Sequence, residues 1–153
     1  MYRSTKTYGN DRGLSCCFRQ WRADSHCNLL HGYSLGFRFT FEAAELDERN
    51  WVYDFGGCKW IKDFLEDTFD HTLVIASDDP ELESFKRLHD INVCKLWTLD
   101  AVGCEKFAEL IYTYVAPTLK EKTKGRVSLY SVECFEHGAN SAIYVNPYGS
   151  SLE

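Results

Sequence analysis

The chain predicts an α+β fold, an antiparallel sheet of four strands with helices on one face. Three observations predict it. Leu35, Phe37, Phe39 and Phe41 alternate with Gly36, Arg38, Thr40 and Glu42, the period of a strand with one buried face. Trp60, Ile61, Phe64, Leu65 and Phe69, and later Phe107, Leu110, Ile111, Tyr114 and Val115, recur at helical spacing. Residues 126–136 read as a strand again, and Gly138-Ala139-Asn140 turns the chain back into a strand over 141–145.

Taken in order, residues 1–13 read as a strand or loose arm, and 14–21 as a strand whose period is blurred by adjacent Cys16 and Cys17. Residues 22–30 form a polar loop that carries Asp24, Ser25, His26 and Cys27, and the clear strand follows over 33–43. A charged turn, 45–50, leads to the first helix, with Asp54 as its cap or dipole partner. A short β-prone run covers 72–75. Asp79-Pro80-Glu81 is a helix start signal, and Leu82, Phe85 and Leu88 give that helix an apolar face. A second β-prone run, 93–99, precedes the long helix, with Pro117 near its end and Gly125 at the turn beyond. In the strand 126–136, Tyr130, Val132, Cys134 and Glu136 fall on one face and Val127 and Leu129 on the other, which predicts cover on both sides. The tail from Pro147 reads as loose.

At 153 residues one domain, 1–153, is expected, large enough for a substantial core. No apolar run is long enough to span a bilayer, and residues 1–13 lack the apolar core of a signal peptide. The net charge of −6 points away from nucleic acid as a partner. The seven cysteines include no C-x-x-C pair, so no structural zinc knuckle is expected. They read as reduced thiols in a cytoplasm, most of them packed in the core.

The chemistry converges on Cys27-Asn28-Leu29-Leu30-His31-Gly32-Tyr33, which joins a thiol, an imidazole and a phenol in a loop that feeds a strand. From spacing alone the pair Cys27 and His31 is a candidate for nucleophile or base chemistry, or simply a packed thiol beside a hydrogen-bonded imidazole.

With these elements placed, residues 14–145 resemble the 6-pyruvoyl-tetrahydropterin synthase and 6-carboxytetrahydropterin synthase family. Cys27, three residues and His31-Gly32-Tyr33 resemble the family's C-x-x-x-H-G-H, and Trp51-Val52-Tyr53-Asp54-Phe55-Gly56 its W-V-x-D-F-G. Asp70-His71 resembles the D-H pair after the first long helix, and residues 102–108 resemble the P-T-x-E-N-x-A helix start. Val132-x-Cys134-x-Glu136, closing at Tyr144, resembles the V-x-V-x-E-T strand and its tyrosine.

The resemblance implies the tunnelling fold, a barrel closed by several subunits and most commonly a homohexamer of two stacked trimers, with sites between subunits. It implies a carbon–carbon lyase acting on 7,8-dihydroneopterin triphosphate towards 7-deazapurine precursors, with no nucleotide cofactor, nucleic acid or membrane partner. The alternative is a pterin- or purine-binding homologue that has lost its zinc. By resemblance Cys27 is the base, Asp70 orients His71, which exchanges protons, and Glu136 accepts from the pterin's amide-and-amine edge. Glu133 falls on the opposite face of its strand. The metal site breaks the pattern. The family holds zinc with three histidines, and here Phe18 and Tyr33 occupy two of the three positions, leaving His31. Zinc needs about three protein donors in a catalytic site. Loss of the metal is the expectation. The alternative is a zinc site rebuilt with His26, to which Cys16 or Cys17 would add a thiolate. Without zinc, Arg19, Arg22 and Tyr33 are the candidates to hold the enolate's charge.

Overall fold

The computed structural model describes residues 1–148. Its sheet is organised around β3 (His31–Ala43), the thirteen-residue strand whose alternation was legible. One edge of β3 takes two antiparallel partners end to end: β1 (Tyr2–Tyr8) beside residues 37–43 and β2 (Leu14–Phe18) beside 31–35. The other edge takes β6 (Ser128–His137), which pairs back with β7 (Asn140–Val145) as the expected hairpin. Beyond β2 lie β4 (Thr72–Ala76) and β5 (Lys95–Leu99), both parallel to their neighbours.

The expected sheet of four antiparallel strands is therefore corrected to seven strands of mixed direction. The β-prone runs are full members because each is reached by a helical crossover: α1 (Lys59–Phe69) leads into β4, and α2 (Leu82–Asp90) into β5. The placement of helices is corrected as well. α1 and α3 (Cys104–Lys122) cover Phe37, Phe39 and Phe41 with Ile61, Leu65, Phe69, Phe107, Ile111 and Val115. α2 makes a second cluster, Phe85 with Leu73 and Ile75, from the alternate residues of β4. Alternate residues of a strand face opposite ways, so α2 lies on the other side of the sheet. All five residues of β4 are buried for that reason. Each fully buried side chain in these clusters contributes roughly 2 kcal/mol.

Strand β6 departs from its predicted phase. Thr40 pairs with Ser131 and Phe41 with Leu129, so Tyr130 has no partner on β3 and forms a bulge. The extra residue shifts the period of two, and Val127, Leu129, Val132 and Cys134 all enter one core. The Arg3 guanidinium lies 3.6 Å over the displaced Tyr130 ring. A second irregularity falls between Phe135 and His137, at Glu136. Asn10, in the 3-10 turn between β1 and β2, donates from its side-chain amide to the Ser34, Phe135 and Glu136 carbonyls at 2.6, 3.2 and 3.2 Å. That crossing needs Gly36, where a Cβ would lie 3.1 Å from both Tyr8 O and Asn10 N. Asp54 caps as expected, its carboxylate accepting from Gly56 N at 2.9 Å. Pro117 lies inside α3 rather than at its end; it is exposed, and the helix runs on to Lys122.

Candidate active site

Cys27 sits in a 3-10 turn, His26–Asn28, capped by the Ser25 hydroxyl, which accepts from Cys27 N at 3.4 Å. The turn is moored on two sides. Gln20 N donates to the Cys27 carbonyl at 2.9 Å. Arg19 makes paired bonds to the Asp79 carboxylate at 2.8 and 2.7 Å and a third to the Asn28 carbonyl at 3.1 Å. Asp79 also accepts from Glu81 N at 2.8 Å, so one buried carboxylate joins the Cys27 loop to the entry of α2. Asp78 repeats the device near the surface, accepting from Trp21 Nε1 and Arg22 at 3.1 Å each. Gln20 reaches the other way, to the Val102 carbonyl at 2.8 Å, and packs where a Cβ on Gly103 would lie 2.4 Å from it.

The three positions at which the family resemblance implies metal donors do come together. Phe18 and His31 are direct partners across β2 and β3, and Tyr33 follows on the same side of β3. Their rings pack on one another: Phe18 to His31 at 5.2 Å, Phe18 to Tyr33 at 6.0 Å, His31 to Tyr33 edge-on at 5.4 Å. Next to them stands His137, 6.3 Å from Tyr33. Burial first, and then the neighbouring Glu136 carboxylate and Cys27 sulfur, raise the Tyr33 hydroxyl above its ordinary pKa, which places all three groups in one neighbourhood. Cys134 is held well above the ordinary thiol range by its hydrogen bond with Cys104 and by burial, with Glu136 adding to the same direction. Glu133 is engaged elsewhere, accepting from Arg38 at 3.1 Å and Ser141 at 3.3 Å.

Asp70 and His71 lie apart from this group. The His71 Nδ1 lies 2.9 Å from Asp70 Oδ1, Asp70 accepts from Ser15 N at 3.1 Å, and the His71 side chain is 84% exposed. Burial alone would raise Asp70, but the Ser15 N–H and the His71 imidazole outweigh it and hold the carboxyl below its ordinary value. His71 adopts a left-handed φ of 54°, uncommon for a side-chain-bearing residue. Ser15, which donates to Asp70, is the second residue of β2, whereas Gln20, which holds Cys27, lies two residues beyond its end. The pair and Cys27 are thus moored towards opposite ends of β2.

The residues available do not fit a zinc ion. Phenylalanine offers no donor, Cys16 is buried in the core, and Cys17 packs with the α2 cluster. His26 is exposed and completes nothing with His31: among the described residues, no group of three or more His, Cys, Asp or Glu is arranged to hold a metal ion. A groove of about 430 Å³, lined by Tyr2, Trp51, Val52, Tyr53 and Phe55 among others, includes neither Cys27 nor Glu136.

A family model described as 6-pyruvoyl tetrahydropterin synthase matches residues 10–147. The chain belongs to that family. A stretch of 57 residues is 35% identical to 6-carboxy-5,6,7,8-tetrahydropterin synthase of Rickettsia bellii (strain RML369-C), covering 37% of the chain and 41% of that relative. In fold the chain is similar to an uncharacterized protein of Wolinella succinogenes, with a TM-score of 0.78, 20% identity, and 95% and 98% of the two chains covered. It is also similar to 6-pyruvoyl tetrahydropterin synthase of Plasmodium falciparum (TM-score 0.62, 12% identity, 95% and 99% covered) and of Caenorhabditis elegans (0.56, 19%, 95% and 94%). The fold is thus the one these synthases share.

Sequence reasoning missed four features of the site: the Arg19–Asp79 mooring, Asn10, Gln20 and His137. Asp79 was read only as a helix cap, because its ion-pair partner lies sixty residues away in sequence. His137 had a signal in its position directly after Glu136.

Proposed function

We propose that this site binds a pterin and acts on its C6 side chain, as a carbon–carbon lyase of the 6-carboxytetrahydropterin synthase type with 7,8-dihydroneopterin triphosphate as substrate. One observation carries the reading. Glu136 stands at a strand irregularity beside Tyr33 and Cys27, while the competing Glu133 is committed to Arg38. A carboxylate accepts two parallel bonds from a pterin's N–H and amino group. Cys27 then takes the side-chain proton, and the Tyr33 hydroxyl donates to the oxygen on which charge gathers. Asp70 and His71 serve the Cys27 site of a neighbouring copy in a closed homohexamer, His71 exchanging the proton and Asp70 orienting it. Reduced cysteines suit a cytoplasmic setting, and no described helix is long and apolar enough to cross a membrane.

Incubation with 7,8-dihydroneopterin triphosphate and chromatography for the carboxylated pterin tests the activity. Neopterin binding, followed by fluorescence quenching, tests the anchor. Glu136→Ala should weaken binding by at least about tenfold, since it removes both acceptors, with the melting temperature unchanged. Unaltered affinity assigns the anchor to another carboxylate. A second reading is a binding protein without turnover, favoured by the Phe18 ring in a donor position. Tight neopterin binding with no product would select it.

A further inference from the structure

We infer that this chain has exchanged a three-donor zinc site for an aromatic one and works without a bound zinc ion. The ligand that occupies it rests on the pterin reading above; the exchange itself does not.

The Phe18 ring does not stand in an open space where a metal would otherwise sit. It is 1% exposed and is the outer end of a run of ring contacts that begins in the core. Phe37 meets Phe69 at 5.2 Å, Phe69 meets Phe107 at 5.1 Å, and Phe107 meets Phe18 edge-on at 5.2 Å. Phe18 then passes the contact on to His31 and Tyr33. Edge-to-face pairs of this kind stabilise beyond burial alone. The packing therefore gives residue 18 a structural role that a histidine turned toward a metal would not fill.

His31 is the one donor still prepared. Its Nδ1 lies 2.7 Å from the Leu29 carbonyl, which can only accept, so Nδ1 donates there and Nε2 is the ring nitrogen left to face a ligand. That is how a metal-binding imidazole is usually oriented. One such donor falls short of the three that a catalytic zinc requires. The nearby groups do not replace the missing two: Cys16 is buried in the core, Cys17 packs with the α2 cluster, and Cys27, Glu136 and His137 form no metal-holding group with His31 among the described residues.

The direct test is elemental analysis of protein purified without chelators from zinc-supplemented culture. The expected content is far below one zinc per chain. Phe18→His with Tyr33→His returns imidazoles to adjacent positions around His31 and should take up one zinc per chain in calorimetry. Because Phe18→His places a polar ring against the core, Tyr33→His alone, at a half-buried position, provides a second variant; it adds one donor and should bind zinc more tightly than the parent. Neopterin quenching by the parent should be the same in EDTA and in added zinc. The inference is overturned by a parent that carries one zinc per chain which His31→Ala removes. It is equally overturned by neopterin binding that EDTA abolishes and zinc restores, or by folded variants that gain no affinity for zinc. A metal-free parent that binds no neopterin, alongside zinc-binding variants, would instead sink the pterin reading and leave the exchange standing.

Discussion

At the scale of the residue, the seven cysteines differ in what surrounds them. Cys16, Cys58, Cys104 and Cys134 are buried, and burial pushes Cys16 up to about 12 and Cys58 up to about 11. Cys17 and Cys94 are partly exposed, but burial raises both above the ordinary thiol value. Cys27 is the remaining partly exposed thiol, on a loop turn. Thiolate reacts and thiol does not, so iodoacetamide at pH 7 should label Cys27 first. Peptide mass mapping reads each position separately, and a Cys27 protected until denaturation would make it a packed structural thiol. Much of this neighbourhood was legible because a motif carries residue identity directly: Cys27, His31 and Tyr33 were read from one stretch and Glu136 from the family resemblance, and Tyr33 feels both Cys27 and Glu136. What spacing cannot carry is distance between elements: Asp70 is moored to the start of β2 and Cys27 beyond its end.

At the scale of the element, the loop that bears Cys27 owes its position to α2. Asp79→Ala would leave the Arg19 guanidinium without its paired acceptor in a mostly buried setting, at a cost on the order of 3 kcal/mol in urea unfolding. Asp79→Glu should recover part of that. The same pair fixes a pH dependence. The Arg19 bonds hold the Asp79 carboxyl below its ordinary 3.8, despite burial acting the other way. A depressed folded-state pKa means that the stabilisation is complete above the unfolded value and is lost as pH falls through the folded one. Parent and Asp79→Ala stabilities should therefore differ most above about pH 4 and converge below it; a constant gap would remove the charge from the explanation. None of this could be read from the sequence, which shows Asp79-Pro80 as a helix start and nothing of what the carboxylate faces. The same limit hid the sheet's extent. β3 was legible because its alternation is uninterrupted, but β4 is buried on both sides and its continuous apolar run has no alternation to read. β6 was misphased because a bulge at Tyr130 inserts one residue, which inverts the faces of everything before it.

At the scale of the whole molecule, the sheet is left with open edges. β5, β7 and β1 have no further strand partner among the described residues. On β7, Ile143 is 60% and Val145 46% exposed, and two residues apart they face the same way. Leu29 and Leu30, beside Cys27, are exposed too, as are Trp51 and Phe55. Unpaired edges with apolar side chains invite another chain, and natural sheets cover them or blunt them with charge. β7 carries no charged residue at all, so a covering partner is the expected solution. On the function proposed above, a second copy would also bring its Asp70–His71 pair to Cys27. Light scattering at micromolar concentration should therefore give the mass of a closed oligomer, six chains on the family's pattern. Ile143→Lys places an ammonium on the outward face of β7, where a joined edge would bury it, and should shift the population toward smaller species. Its melting should fall in a concentration-dependent way, because assembly stabilises the fold by mass action. Any turnover should fall with it, since Cys27 would lose the pair supplied by its neighbour. A parent that is a stable monomer, or an Ile143→Lys variant that keeps the parent's mass, would show that β7 is not the joined edge and that Asp70–His71 must be brought to Cys27 by some other route.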